Sequence, residues 1–136
     1  MKKNLTILVL LLVASFALYA QDGGRKFPLV VQFASFCCGV PSDTSIVNYV
    51  RRFKKNNKIK TISAYKVGPM GREGEYYLAF PLVELNKKQE KKFVAEIANV
   101  KVAEGDRGAI HYEKDFIIDN TGTSTTIMRK KDLIKF

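Results

Sequence analysis

Apolar residues change rhythm several times along this chain, and each change marks a predicted element. From Leu29 to Phe36 they occupy both faces of an extended run, with Gln32 the one strongly polar member. That pattern predicts a buried, central strand, with Pro28 suited to its first position because proline cannot donate to a ladder. Gly39, Pro41 and Ser42 interrupt the run, and Ser42 is a candidate N-cap. Ile46, Val50 and Phe53, with Val47 beside them, then recur at helical spacing and predict a helix over 43–56. Its other face is Arg51, Arg52, Lys54 and Lys55, and Asn56-Asn57 supplies a stop.

Period two returns at Ile59 to Val67 and again at Tyr76 to Leu82, where Tyr76, Leu78, Phe80 and Leu82 share a face. These segments predict paired strands, with Pro81 marking an end or a bulge. Between them lies Gly68-Pro69-Met70-Gly71-Arg72-Glu73-Gly74, whose glycines permit the positive φ angles of a hairpin turn. Asn86 and Gln89 have capping-box spacing ahead of Phe93, Val94, Ile97 and Val100, which predicts a second helix over 87–102. Past Gly105 the pattern thins to Phe116–Ile118 and Thr125–Met128, short β-prone pieces around Asn120-Thr121-Gly122. The segment Asp132–Phe136 extends the second of these, and one final strand is expected in this tail.

The order β-α-β-β-α with a final β predicts an α+β chain of the split βαβ, ferredoxin-like type, with two helices on one face of an antiparallel sheet. That architecture hosts many unrelated activities, so it assigns none.

The first residues change the compartment. Lys2 and Lys3 precede an apolar stretch from Leu5 to Leu18, followed by small residues and then Gln21-Asp22-Gly23-Gly24. This is the layout of a cleavable signal peptide over 1–20, cut after Ala20 or after Ala17. The stretch is shorter than the roughly 20 residues of a membrane-spanning helix, so no anchor is expected after cleavage. No cysteine lies near either cut to accept a lipid. The expectation is a periplasmic or secreted protein that is not a lipoprotein, with a short polar linker over 21–27. A single α+β domain over 28–136 then has its core in 28–102 and a strand region in 103–136.

Composition agrees with one globular core, at 46% apolar residues. The net charge is +10, and loss of the leader removes only two lysines. Lys87, Lys88, Lys91 and Lys92 on the second helix, with the basic face of the first, would make one cationic surface if the helices lie side by side. Anionic envelope components or another protein are the expected partners. Nucleic acid is not, because an exported chain rarely meets it and Tyr76, Tyr77 and Phe80 read as sheet residues.

The sharpest local feature is Phe36-Cys37-Cys38-Gly39, placed between the first strand and the first helix. Element order over 29–67, with cysteines in that loop, resembles heavy-metal-associated domains, in which the loop carries two cysteines separated by two residues and binds a soft metal ion. Here the cysteines are adjacent, a departure that denies them the near-linear chelate of that family, so its function is not carried over. Thiolates remain soft ligands, and Cys37 and Cys38 are the candidate metal ligands, with His111 the candidate third. Cys38 is also the better candidate nucleophile, since a helix N-terminus lowers a thiol pKa. Buried thiols or an inert vicinal disulfide are the bland alternatives. No resident cofactor is expected beyond such a soft metal ion.

Gly71, Arg72 and Glu73 form a candidate anion or partner loop, set against the plainer reading as a hairpin turn. Glu73 and Glu75 read as solvated carboxylates. The glycine spacing lacks the ending of a phosphate-binding loop, no calcium-binding loop is present, and there is no Gly-x-Ser-x-Gly elbow. A Cys–His dyad would need Cys38 and His111 to meet across the fold. The leading expectation is therefore a non-enzymatic binding or interaction module of the cell envelope or exterior. The alternatives are a thiol-dependent metal or redox site and small-ligand binding on the open sheet face near Tyr65, Tyr77 or Phe36, a face that would also serve as a dimer interface.

Overall fold

The computed structural model describes residues 24–100, 108–118 and 133–136. Among them are two helices and five strands in the order β1 (Arg25–Ser35), α1 (Thr44–Asn56), β2 (Ser63–Val67), β3 (Tyr76–Phe80), α2 (Lys87–Ile97), β4 (Gly108–Ile118) and β5 (Leu133–Lys135). The expected signal peptide, its cut sites and the Thr125–Met128 piece lie outside the described residues. No helix among the described residues is long and apolar enough to cross a membrane.

The architecture is α+β, with one antiparallel sheet ordered β4-β1-β3-β2-β5. β3 lies between β1 and β2, so α1 carries the chain over β3. Both helices cover one face of the sheet. Ile46, Tyr49, Val50 and Phe53 of α1 and Phe93 and Ile97 of α2 share one core with Leu29, Val31, Phe33, Leu78 and Phe80. Phe93 is fully buried, with its ring 5.0 Å from Phe53, 5.4 Å from Tyr49 and 5.6 Å from Phe80. Burying a side chain of that size stabilises the fold by about 1.5–3 kcal/mol.

The helix ends follow local chemistry. Asn86 accepts from the Gln89 amide at 2.9 Å and the Gln89 side chain accepts from the Asn86 amide at 3.1 Å, a full capping box. α2 stops at Ile97 rather than 102, where the Asn99 side chain donates to the Ala95 carbonyl at 3.0 Å. α1 ends where the Asn57 side chain donates to the Phe53 carbonyl at 2.8 Å. Its N-cap is Asp43, not Ser42, and Asp43 makes no side-chain cap bond. Ser42 still contributes, because its hydroxyl accepts from the Thr44 amide at 3.2 Å.

The strands differ more from expectation. β2 is shorter than the predicted Ile59–Val67, although Ile62 ahead of it is buried and its carbonyl accepts from the Phe136 amide at 2.9 Å. β3 ends before Pro81, as proline requires. Leu82 still enters the core from beyond the strand, with φ at +52°. Where one tail strand was expected, two are present, the eleven-residue β4 and the short β5 on opposite edges.

β1 starts at Arg25, so Pro28 is interior to it rather than first. Leu29, Val31 and Phe33 face the helices, yet Phe27 belongs with Val30 on the other side. Strict alternation would put Phe27 with Leu29. β4 changes face at the same rung, because Ile110 and Tyr112 pack toward the helices while Phe116 and Ile118 pack behind the sheet. Pro28 and Asp115 lie between the Leu29↔Lys114 and Phe27↔Phe116 pairs, and Asp115 has φ +53°. The end of the β1–β4 ribbon thus rolls over and brings Phe27, Phe116 and Ile118 onto the back of the sheet, where they form a second core with Val30, Val67 and Ala79.

Candidate functional site

Antiparallel pairing of neighbours decides which loops meet. Phe33 of β1 lies opposite Tyr76 of β3, so the loop leaving β1 and the loop entering β3 emerge at the same end of the sheet. The first loop carries Phe36, Cys37 and Cys38, all exposed, and reverses direction through Cys38 at φ +64° and Gly39 at +108°. The second runs from Gly68 to Glu75, closed by the Met70 amide donating to the Glu75 carbonyl at 2.7 Å. Gly68 has no room for a side chain, since a Cβ there would sit 2.8 Å from Cβ of Tyr76.

Between the loops lies an open cleft of about 620 Å³. Gly39 and Val40 form one wall, and Gly68, Pro69, Glu73 and Gly74 the other. Lys66 and Tyr76 contribute from the sheet, and Ile134 of β5 completes the lining. Tyr76 organises the base. Its ring stacks on Phe33 at 4.5 Å, its hydroxyl donates to the Asp43 carboxylate at 3.0 Å, and the Lys66 ammonium lies 4.0 Å from the ring centre. Burial first, and the Asp43 charge second, push the Tyr76 phenol well above its ordinary range.

The loops that carry the two regions singled out in the sequence, Cys37-Cys38 and Gly71-Arg72-Glu73, therefore face one another across one cleft, of which Glu73 alone among these residues forms the lining. Both cysteines are thiols, and their side chains are hydrogen-bonded to one another. The Cys38 thiol is pushed above its ordinary value, first by that bond, then by partial desolvation, then by the charge of Glu73. This reverses the expectation of a thiol acidified by a helix. α1 starts only at Thr44, and the nearer influences favour the neutral form. The bland expectation of buried cysteines is also overturned, since both are exposed.

No family model, no curated protein and no solved structure matches the chain. What the site does must be read from its own chemistry.

His111 is not brought to the cysteines. It lies on β4 opposite Gln32, exposed, while β1 reaches the cysteine loop three rungs farther on, beyond the Ser35↔Gly108 pair. Among the described residues no three His, Cys, Asp or Glu side chains gather as a metal site. Glu73 lines the cleft, whereas Gly71 and Arg72 are exposed on the loop. Glu75 departs from the solvated reading. Its carboxylate packs against Gly71, where a Cβ would collide with it, and one of its oxygens is buried without a hydrogen-bond partner.

Tyr65 and Tyr77 do lie on the sheet face away from the helices, but that face is occupied. Tyr65 meets Phe27 edge-on at 5.9 Å and accepts from the Arg25 guanidinium at 2.9 Å, and Tyr77 meets Phe116 at 5.8 Å. Phe36 is 74% exposed in the loop and belongs to neither face. Sequence reasoning missed Lys66, Tyr76 and Ile134 in the cleft lining, and Asp43, which accepts from the Tyr76 hydroxyl. Each reads locally as a cap, a surface residue or a strand residue, and only strand pairing collects them.

Proposed function

We propose that the chain is an exported, non-enzymatic binding module, and that its recognition site is the cleft between the cysteine loop and the β2–β3 hairpin loop. The observation that carries this reading is the convergence of two glycine-containing loops over a concave space of about 620 Å³, within the size range of small-ligand sites. Val40, Pro69, Tyr76 and Ile134 supply apolar wall, and Lys66 and Glu73 supply one charge of each sign. A small molecule or chain end with an apolar body and a polar or zwitterionic head fits that lining. The scaffold in this reading is a ferredoxin-like split βαβ unit with a fifth strand added beside β2, supported by the β4-β1-β3-β2 order and the α1 crossover. Export is supported by Lys2, Lys3 and the apolar run Leu5–Leu18.

The test is amide NMR of the isotopically labelled protein, titrated with small-molecule fractions of the medium and envelope of the producing cells. Shifts confined to Gly39, Val40, Gly68 and Gly74 are expected. Shifts centred on the back of the sheet, or none with any fraction, would overturn the reading.

A second reading is a thiol-dependent site for a soft metal ion or for disulfide exchange, favoured by the exposed Cys37 and Cys38 in the loop whose Gly39 and Val40 line the same cleft. It predicts two thiols that react in the folded protein and are protected by Cu(I) or Zn(II). Unprotected reaction at both would leave the thiols outside the function.

A further inference from the structure

The packing of the two helices sets two groups of basic residues side by side. The Tyr49 hydroxyl reaches Glu96 at 3.4 Å, and farther along α1 the Phe53 ring lies 5.0 Å from Phe93 and 6.0 Å from the Lys92 ammonium. As the number rises on α1 it falls on α2, so the helices are antiparallel. The C-terminal half of α1 therefore lies beside the N-terminal half of α2, which are the basic halves of both. Arg51, Arg52 and Lys55 on one helix and Lys88, Lys91 and Lys92 on the other are all exposed.

Few acids balance them. α1 contains no acidic residue, the turn before α2 adds the exposed Glu84, and among the described residues the ion pairs on this layer are Lys87–Glu90 at 3.1 Å and Lys92–Glu96 at 3.8 Å. The lysines of α2 also stand where a helix least favours them. A helix N-terminus carries partial positive charge, so cations in its first turns oppose the macrodipole, and only Glu90 offsets Lys87 and Lys88 in the first turn. Helix stability does not explain their placement, whereas an external anion does.

We propose that this end of the helical layer docks on an anionic lipid surface. The charge is complementary to phosphate headgroups, and each basic group near such a surface adds attraction. Arg52, Asn56 and Lys92 edge an open groove of about 310 Å³ between the helices, which the Glu96 carboxylate also lines, so a headgroup phosphate would meet the exposed Arg52 at its rim and compete with Glu96 for Lys92. Val83 selects a membrane over a soluble polyanion. It is 77% exposed in the turn leading into α2, next to the exposed Glu84 and four residues before Lys87, and an apolar side chain there gains from the acyl boundary but not from a hydrated polymer. The docking face is separate from the cleft, and neither reading depends on the other.

Vesicle sedimentation tests it, using the chain recovered from an exporting host. The vesicles are phosphatidylcholine alone or phosphatidylcholine with one-third phosphatidylglycerol. Binding is expected only to the anionic vesicles, falling at least tenfold at high salt as surface attraction is screened. The double variant Lys88→Glu, Lys91→Glu is expected to lose roughly tenfold or more in affinity. Arg72→Glu, the same kind of charge change on the hairpin loop, should leave binding intact. Val83→Ser should weaken it several-fold without altering the salt dependence. All four positions are exposed, and near-ultraviolet circular dichroism confirms that each variant folds. Equal binding to neutral vesicles, no binding to anionic ones, or an unaffected double variant would overturn the proposal. So would inorganic polyphosphate displacing the protein completely while Val83→Ser has no effect, which would identify a soluble polyanion as the partner.

Discussion

The Tyr76 hydroxyl donates to the Asp43 carboxylate at 3.0 Å, tying the first residue of β3 to the residue that precedes α1. The bond ties the base of the cleft to the start of α1, three residues beyond the Val40 wall, so stability and site geometry share it. Tyr76→Phe keeps the stacking on Phe33 and removes only the bond. A loss of about 1.5–3 kcal/mol is expected, the range for a hydrogen bond to a charged group. It should appear as a lower urea midpoint with an unchanged denaturant slope.

The same phenol, with Tyr49, governs behaviour in alkali. Burial is the larger cause at both, followed by Glu96 at Tyr49 and Asp43 at Tyr76, and each pKa is raised. The native state then keeps protons that the unfolded chain releases near pH 10, so stability is unaffected below about pH 10 and falls as pH rises past it. Ultraviolet titration of the phenolate band should show these tyrosines ionising late, together with unfolding. Normal titration of all tyrosines in the folded protein would contradict this.

Gly108 opens β4 against the end of β1. A Cβ there would collide with the Ala34 carbonyl and lie 2.8 Å from Cδ of Pro41, and the carbonyl is backbone that cannot turn aside. Gly108→Ala should therefore destabilise the protein by about 1–3 kcal/mol, the usual scale of overpacking. Thermal unfolding measures it.

The face change of the β1–β4 ribbon centres on Asp115, which has φ +53° and an exposed ion pair with Lys26 at 2.9 Å. Exposed pairs contribute about 0–1 kcal/mol, so conformation outweighs charge at this position. Asp115→Gly should be close to neutral. Asp115→Val should cost about 1–3 kcal/mol, because a β-branched residue is strained in the left-handed region. Equal stability of the two variants would show that the kink does not depend on this residue.

The Cys38 thiol is raised chiefly by its bond to Cys37 and less by Glu73. Alkylation followed against pH should therefore shift toward lower pH in Cys37→Ala, and shift less in Glu73→Gln. The reverse order would mean that the carboxylate, and not the neighbouring thiol, controls the loop.

Local pattern carried much of this fold. The Asn86–Gln89 capping box, the stripe through Phe93 and Ile97, the end of β3 at Pro81 and the glycine turn between β2 and β3 each depend on residues a few positions apart, so their chemistry is complete within the sequence. The two candidate loops were also legible, as adjacent cysteines and as clustered glycines. That they face one another was not, because it follows from β1 pairing with β3 in the register that sets Phe33 opposite Tyr76.

The remainder was decided between distant segments. His111, Glu113, Lys114 and Asp115 lie ahead of the short β-prone pieces the pattern marks, yet they belong to an edge strand that can expose polar side chains because its backbone bonds to β1. β5 has three residues and exists through its pairing with β2. Pro28 suggested a strand start, but Asp115 across the ladder turned that position into the point where both strands change face. Tyr65 and Tyr77 were open-face candidates until that turn brought Phe27 and Phe116 against them. Period and capping are properties of a short stretch of chain, whereas register, edge and occupancy of a face are fixed by which strands share hydrogen bonds, and only the folded chain makes that choice.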